Sequence, residues 1–380
     1  MPEGFSRALE LADLSAAGAV PERLRWMWGD ALYLWSLSEL DSFLGQDRYL
    51  GLLSAWGGRF AARPPKVDQS DTCAPGLVTW AAYRKTGDEA CLALTARVVD
   101  YLKREPRLYG DAPNHLGHSP EGRLYPRSIW VDSLMMFGVL AARYASDAGD
   151  AELLGLAARQ PRLYAGLLQD EKTGLFRHSW RARTASPYPA GPVFWGRGNG
   201  WVAASLPMIL SAAGPDDPER AATIAILRRL SEALLPLQRD DGWWDTLLET
   251  PGRSYREASA TALIAAGFMR SAREGWLEPR FGAAGARAFD ALVASLGEGG
   301  TVPSLGEVSA PTIPLPLFPR LGYALVPRRR DLGYGLAALF LSAIEREKLV
   351  LGKPGDGAGS SARSGLGSSA GSGSGSGSAP

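Results

Sequence analysis

The chain has 380 residues, of which 46% are apolar, so it is long enough for two domains or for one large fold with a substantial core. Its 41 basic and 40 acidic residues leave a formal net charge of +1, which excludes the strong electrostatic field that binding to nucleic acid or to an anionic membrane requires. Two cysteines and three histidines are too few for a disulfide framework or a four-thiolate zinc site, so neither a metal centre nor a cofactor is predicted.

The two ends of the chain differ from its centre. Residues 1–20 form a predicted lead-in that carries Glu3, Glu10 and Asp13 and lacks the basic start and apolar run of a secretory signal, which predicts a cytoplasmic location. No stretch approaches about 18 unbroken apolar residues, so no membrane span is predicted. Residues 351–380 are dominated by Gly and Ser and are predicted to be a disordered tail.

Between these ends, residues 21–350 show apolar residues at helical spacing and almost no strict alternation. The predicted helices are 26–40, 76–83, 90–102, 129–144, 201–212, 221–237, 258–272 and 286–296. Short Gly/Asp turns separate them at intervals of about 40 to 65 residues, which is typical of a repeated helical hairpin. The pattern favours one all-α ring of hairpins, with the longer loops and the chemistry on one face; an open solenoid is the alternative.

The first two candidate site segments lie in loops. Asp71 precedes a Pro-Gly pair that opens a helix, where a carboxylate is equally typical of a helix cap or a turn. His115 and His118 lie in a loop rich in Gly and Pro, where a histidine pair is more often surface polar structure than catalytic machinery.

Asp132 is the strongest catalytic candidate. It is the only charged side chain between Arg127 and Arg143, and it enters a helix that is apolar nearly all round. A carboxylate near a helix start is also favoured by the helix dipole alone. Burial among apolar side chains would raise the pKa of Asp132 toward the value that a general acid needs, which favours catalysis.

A further segment, 194–201, combines Trp195, Arg197 and Trp201 with three glycines immediately before a helix. Backbone N–H groups at a helix start and a guanidinium are suited to a carboxylate, and indole faces are suited to sugar rings. The alternative is a packing corner between two helices. With twelve tryptophans in the chain, several of them at loop-helix junctions, carbohydrate is the predicted ligand class.

These segments together resemble a known family. The residues that carry the resemblance are Trp28-Gly29, Asp71 with Pro75-Gly76, and the stretches 130–136, 174–180, 195–201, 242–244, 257–262 and 333–341. In order and spacing they are similar to the unsaturated rhamnogalacturonyl hydrolases of glycoside hydrolase family 105, which are related to the unsaturated glucuronyl hydrolases of family 88. The resemblance extends over about residues 20 to 345.

The resemblance implies an (α/α)6 barrel of six helical hairpins, in agreement with the hairpin repeat. It implies a substrate that carries a 4,5-unsaturated uronic acid at the non-reducing end of a pectin fragment. The reaction is hydration of the C4=C5 vinyl ether, after which the hemiketal opens and releases the aglycone. Asp132 matches the residue that donates a proton to C4 and takes one from the water, and Asp71 matches a second family carboxylate.

The resemblance also implies the sugar-binding residues. These are Trp28, His118, His178, Trp195, Arg197 and Trp201. Arg197 is expected to bind the substrate carboxylate through its bidentate geometry. His118 matches a histidine that a lysine follows in other members, whereas this chain has Ser119, a departure that bears on the preferred aglycone.

Two other functions are compatible with the composition. A sugar 2-epimerase with an (α/α)6 barrel would need two histidines across its pocket, such as His118 and His178. A non-catalytic sugar-binding protein would need no acid at all. Both would leave the Asp132 segment without a role. The sequence contains no signal for the aglycone sugar or for the oligomeric state.

Overall fold

The computed structural model describes residues 2–297, 302–315 and 317–352, and within these ranges it consists of helices arranged in two concentric rings. Helices alternate along the chain between the outer and the inner ring. The outer helices are α1 (Glu3–Ala17), α3 (Leu50–Ala62), α5 (Glu89–Arg104), α8 (Ala151–Leu168), α10 (Arg220–Leu234) and α12 (Pro279–Ser295). The inner helices are α2 (Trp28–Leu44), α4 (Pro75–Thr86), α7 (Leu140–Ala148), α9 (Gly196–Ala213), α11 (Ala258–Arg273) and α14 (Gly333–Val350).

The inner ring closes on itself. Each inner helix packs against the next one, and α14 packs against α2, so the first and last hairpins meet. Six hairpins in a closed ring are an (α/α)6 barrel, and the predicted all-α barrel is confirmed. The open solenoid does not occur.

Burial explains which helices are inner. In α11 every residue from Ala258 to Ser271 is buried, because this helix touches neighbours on all sides. By contrast, α5 buries Cys91, Leu94, Val98 and Leu102 on one face and exposes charged residues on the other, as an amphipathic surface helix does.

The short turns lie at one end of the barrel. The inner helices α2, α4 and α7 each end in a glycine with positive φ, namely Gly45, Gly87 and Gly149. Asp88 and Asp150 follow directly and cap the next outer helix. Because these turns are tight, the longer loops all lead into the N-terminal ends of the inner helices at the other end.

The long loops contain short strands and helices that the sequence pattern did not predict. An antiparallel sheet consists of β3 (Ser128–Trp130), β4 (Ser179–Arg181) and β5 (Ser186–Tyr188), with β4 in the middle. The remaining elements of the loops are β1 (Arg107–Tyr109), β2 (Ala112–Pro113), α6 (Pro120–Leu124), β6 (Val308–Ser309), α13 (Pro319–Ala324) and β7 (Arg328–Arg329).

Several helix boundaries differ from the prediction. The segment predicted as helix 129–144 begins as strand β3, and its helical part starts as a π-helix, Leu134–Val139, which continues into α7. Pairing of Trp130 with Ser179 of β4 holds this start extended. Helices α1, α3, α8 and α14 lie outside the predicted helical segments. Helix α8 contains Pro161 and two glycines, which weaken the local helical signal, yet packing against α7, α9 and α10 stabilises it.

The two ends of the chain lie partly outside the predicted barrel domain. Helix α1 lies within the predicted lead-in and packs against α12 and α14. The predicted tail, 351–380, lies outside the described residues except for Leu351 and Gly352. None of the helices in the described ranges is both long and apolar enough to cross a membrane.

Candidate active site

The candidate active site lies at the N-terminal ends of the inner helices, where the long loops meet. Asp71 is in a 3-10 turn, Ser70–Thr72, just before α4, and Asp132 lies between β3 and the π-helix before α7. The Ser133 hydroxyl donates to Ser70 Oγ at 3.0 Å and ties the two turns together. The side chains of Asp71 and Asp132 are 18% and 14% exposed, so both carboxyl groups lie in a nearly enclosed space.

Each carboxyl group has a histidine beside it. His178 Nε2 lies 3.2 Å from Asp132 Oδ2, and His115 Nε2 lies 3.5 Å from Asp71 Oδ1. The contact between His178 and Asp132 is not an aligned hydrogen bond, and neither of its two buried atoms has another partner. Both atoms therefore keep hydrogen-bonding capacity for a ligand.

The backbone fixes both histidines. His115 N–H donates to Ser128 O, and the His115 carbonyl accepts from Ser70 N, so this loop bridges the two aspartate-bearing segments. The carbonyl of His178 accepts from Val131 N at 3.0 Å, directly before Asp132. The side chain of His115 is held further by Ser133 Oγ, 2.8 Å from its Nδ1.

The two carboxyl groups differ in their affinity for protons. Burial and the neighbouring charges of Asp132 and Glu121 raise the pKa of Asp71 to about 8. Burial alone would also raise the pKa of Asp132, but the contact with His178 and the charges of His178 and His115 outweigh it and lower that pKa. The predicted rise in the pKa of Asp132 is therefore wrong, and the proton shared by the pair resides on Asp71.

Aromatic rings form the walls of the site. Trp195 stacks on His178 with ring centroids 4.4 Å apart, and Tyr323 stacks on the same indole. Trp130 stacks on His115 at 4.2 Å. Burial lowers the pKa of His115 to about 4, so this imidazole is neutral at pH 7.

A second pair of indoles lies beside this wall. Trp28, at the start of α2, makes an edge-to-face contact with Trp201, with ring centroids 6.0 Å apart. Trp201 is buried and its Nε1 has no hydrogen-bond partner, whereas Trp28 is partly exposed. Of the two rings, Trp28 therefore offers the accessible face.

Residues 310–315 and 317–323, which follow β6 and are called the covering segment below, lie over the site. Tyr125 donates a hydrogen bond to the carbonyl of Pro314, and Tyr188 donates to that of Leu315. Further along this segment, the Tyr323 hydroxyl lies 2.8 Å from His178 Nδ1. The cover therefore contacts the same histidine that faces Asp132.

Arg197 does not occupy the role that the sequence predicted for it. Its side chain is buried, and Nη1 donates to the Ser309 carbonyl at 2.8 Å and to Ser309 Oγ at 2.6 Å. Nη2 donates to the Ala310 carbonyl at 2.9 Å, and Glu257 lies 3.5 Å from Nη1. With both terminal nitrogens occupied, the expected bidentate contact with a substrate carboxylate is not available. Arg197 instead anchors the start of the covering segment.

The structure also reassigns the histidine of the 115–118 loop. The His118 imidazole lies 2.9 Å from Glu105 and beside the ring of Tyr101, and it is largely exposed rather than directed at the paired aspartates. His115 occupies the position beside Asp71 instead. Ser119, where the resemblance expects lysine, caps α6 by accepting from Gly122 N, so it has a structural role in this loop.

Three residues that line the site were not selected as site residues from the sequence. They are His115, Trp130 and Tyr323. His115 and Trp130 were visible in the candidate segments, but only the tertiary contacts distinguish them from their neighbours. Tyr323 carries no local signal, because it lies 145 residues from the histidine that it contacts. Within the described part of the chain, no three His, Cys, Asp or Glu side chains are grouped to hold a metal ion.

Comparisons with known proteins identify the family of the chain and several relatives. A family model described as Glycosyl Hydrolase Family 88 matches residues 9–350. The unsaturated rhamnogalacturonyl hydrolase YesR of Bacillus subtilis is 28% identical over 326 residues, which cover 85% of this chain and 90% of that protein. The unsaturated 3S-rhamnoglycuronyl hydrolase of an Alteromonas species is 30% identical over 204 residues, 52% of this chain and 49% of that protein.

Solved structures show the same fold. A possible member of family GH105 from Salmonella enterica superposes with a TM-score of 0.80 at 22% identity, covering 90% of this chain and 93% of that one. The unsaturated glucuronyl hydrolase of Bacillus sp. GL1 superposes with a TM-score of 0.70 at 18% identity, covering 91% and 96%. At these identities the similarity supports the barrel architecture.

Proposed function

Because the chain belongs to Glycosyl Hydrolase Family 88, we propose that it removes a 4,5-unsaturated uronic acid from the non-reducing end of oligosaccharides. Membership makes the chain a glycosidase. The names of its relatives support an unsaturated uronyl substrate, with unsaturated galacturonyl-rhamnose as the first candidate. The observation that carries the proposal is the enclosed pair of carboxyl groups, each beside a histidine, in which the pKa of Asp71 is raised and that of Asp132 is lowered.

The pair has the two proton affinities that hydration of a vinyl ether needs. Protonation of carbon requires an acid that is still neutral at working pH, and the raised pKa of Asp71 provides one. Addition of water requires a base, and Asp132 is ionised because of His178. We therefore assign the acid to Asp71 and the base to Asp132, which differs from the single-residue assignment that the family resemblance implied.

In the proposed reaction, the Asp71 proton forms the new C–H bond at C4, and positive charge develops between C5 and the ring oxygen. Water adds at C5 and gives its proton to Asp132. The product is a hemiketal at C5, which opens and leaves a hemiacetal at C1 that releases the aglycone. The proton gained by Asp132 returns to Asp71 through solvent, so the net change is the addition of one water molecule.

The remaining site residues bind and orient the sugar in this proposal. The unpaired His178 Nε2 is available to a sugar oxygen beside Asp132. Trp28 offers a ring face to the sugar, while Trp195 and Trp201 lie behind it and hold His178 and Trp28 in place. Such stacking exploits the apolar faces of a pyranose ring.

Loss of ultraviolet absorbance tests the proposal, because hydration destroys the conjugated C4=C5 bond. We expect the absorbance of unsaturated galacturonyl-rhamnose to decay with the native protein and Asp132→Asn to slow this decay about 1000-fold while substrate binding is retained. Asp147→Asn, at the C-terminal end of the inner helix α7 that follows Asp132, lies at the opposite end of the barrel; it is the control and should change the rate less than 2-fold. Unchanged absorbance with the native protein on uronyl-rhamnose and on other unsaturated uronides would refute the proposal.

The site favours hydration over the alternatives from the sequence. The 2-epimerase pair predicted from the sequence, His118 and His178, is not formed, because His118 contacts Glu105, and an epimerase would leave the paired carboxyl groups without a role. A non-catalytic sugar-binding protein would have no need of the paired carboxyl groups. The cytoplasmic location stays a prediction.

A further inference from the structure

Arg181 has hydrogen-bond donors that the protein does not use. It is the last residue of β4, and its Nε and Nη2 atoms are buried without hydrogen-bond partners. Within the described ranges, no carboxylate lies in ion-pair contact with this guanidinium. A buried donor without an acceptor is costly to the folded state, so such an arrangement is expected where a ligand supplies the acceptor.

Two tyrosines hold the guanidinium in place. Its Cζ atom lies 3.3 Å from the centroid of the Tyr188 ring. Because the guanidinium lies over a ring face, its N–H groups point along its own plane and are not directed at the ring. Arg181 also comes within hydrogen-bonding reach of the Tyr125 hydroxyl and opposes the rise in the pKa of Tyr125 that burial causes. The same two tyrosines bind the covering segment at Pro314 and Leu315.

Arg181 lies farther out than the paired aspartates. His178, which contacts Asp132, directly precedes β4, and three residues of extended chain separate it from Arg181 by about 10 Å. Asp132 and His178 are enclosed, whereas Arg181, Tyr125 and Tyr188 are all partly exposed. A uronyl ring beside Asp132 would therefore have its aglycone on the side of Arg181.

We propose that Arg181 binds an anionic group, a carboxylate or a sulfate, on the sugar that the enzyme releases. The inference rests on the proposed function, since it places the uronyl ring at Asp132. A planar guanidinium forms two parallel hydrogen bonds to either anion. Arg197 is not available for this role, because both of its terminal nitrogens are occupied by the Ser309 region. A neutral aglycone would offer these donors no charged acceptor, so an acidic oligosaccharide is expected to bind more tightly than a neutral one.

Equilibrium binding to the Asp132→Asn protein tests the inference without turnover. Three disaccharides carry the same unsaturated galacturonyl unit on rhamnose, on galacturonate or on rhamnose 3-sulfate. By calorimetry, we expect one or both acidic ligands to bind about 10- to 100-fold more tightly than the neutral one, as charge-assisted hydrogen bonds imply. The carboxylate and sulfate arms identify which anion is preferred.

Adding Arg181→Gln should abolish this preference and leave binding of the neutral disaccharide unchanged within 2-fold. Arg183→Gln is the matched control, since this exposed arginine lies in the same hairpin and should retain the full preference. Arg181→Lys keeps the charge but not the bidentate geometry, so we expect part of the preference to remain. It also serves as the second variant if Arg181→Gln fails to fold.

Two results would overturn the inference. One is equal affinity of the Asp132→Asn protein for neutral and acidic disaccharides. The other is an equal loss of affinity for all three ligands in Arg181→Gln, which would place the arginine on the uronyl unit that they share. Neither result depends on hydrolysis, so a failure of the proposed reaction in the absorbance assay is a separate outcome.

Discussion

Charged side chains at the two ends of the barrel differ in how their hydrogen bonds are satisfied. At the C-terminal ends of the inner helices, Arg143 forms a bidentate ion pair with Glu39, at 2.7 and 3.1 Å. Arg273 pairs there with Glu345 at 2.8 Å. At the N-terminal ends, Asp132 Oδ2, His178 Nε2 and two nitrogens of Arg181 are buried without hydrogen-bond partners.

Whether a charged group is paired within the protein distinguishes the charges that stabilise the fold from those expected to act in function. Cations near helix C-termini are favoured by the helix dipoles, and pairing them with carboxylates completes their hydrogen bonds. Unpaired buried groups destabilise the fold, so the group of them around Asp132 and His178 is expected to be completed by a ligand or used in the reaction. The comparison therefore predicts that substitutions at the active-site end change activity, and that substitutions of paired charges change stability.

The largest effect is expected for Asp71→Asn. Loss of the proton donor should reduce kcat about 1000-fold. In the native protein kcat/KM should fall as pH rises above about 8, because Asp71 then loses its proton. Steady-state rates between pH 5 and 10 measure this. A profile that stays flat through pH 8 would assign the acid to another group.

The same variant should gain stability. A carboxyl group whose folded pKa is raised stabilises the fold fully below its unfolded pKa of about 4, and this contribution is lost as pH rises through the folded value of about 8. Asparagine has no such loss, so Asp71→Asn should have a Tm at pH 9 a few degrees above that of the native protein. A lower Tm at pH 9 would mean that the carboxylate is favourably solvated in the fold.

Arg197→Gln tests whether this arginine is structural. Removing it leaves the buried Glu257 carboxylate uncompensated and frees the Ser309 backbone, so we expect a loss of about 3 to 5 kcal/mol in the free energy of unfolding. Denaturant titration measures it. Arg181→Gln, which breaks no ion pair, is the comparison and should change stability by less than about 1 kcal/mol. An unchanged stability with a raised KM would instead restore the substrate-binding role predicted from the sequence.

Tyr323→Phe should have an intermediate effect. The variant keeps the ring that stacks on Trp195 but loses the contact with His178 Nδ1, which holds the imidazole with Nε2 toward Asp132. One such hydrogen bond corresponds to a decrease in kcat of about 5- to 10-fold. Tyr109→Phe, at an exposed tyrosine, is the control. A change in KM alone would show that Tyr323 contacts substrate rather than orienting His178.

The smallest effect is expected at the opposite end. Arg143→Gln removes the partly exposed ion pair with Glu39 and should lower the free energy of unfolding by about 1 kcal/mol. Turnover should stay within 2-fold of the native rate. A large loss of activity would show that the two ends of the barrel are coupled.

The local sequence indicated the repeated helical hairpin, and the family resemblance implied the closed (α/α)6 barrel. Helical spacing of apolar residues and Gly/Asp turns are properties of neighbouring residues, so they predicted the hairpin repeat and the end at which the long loops meet. Residue types in those loops also indicated Asp71, Asp132 and Trp195, and the family resemblance implied His178; the structure places them at the same end of the barrel. The helices that the pattern missed, such as α8, contain residues of low helical propensity and depend on packing against other helices.

The tertiary structure alone decided how the charges are paired. Asp132 has a lowered pKa because His178, 46 positions later, contacts it, whereas its apolar neighbours in sequence predicted the opposite. Arg197 lies in a motif typical of anion binding, but residues more than 110 positions away occupy its terminal nitrogens. Proton affinity and hydrogen-bonding capacity depend on which groups lie within a few ångströms. The local sequence pattern therefore identified the candidate site residues, but their roles depend on contacts that only the tertiary structure shows.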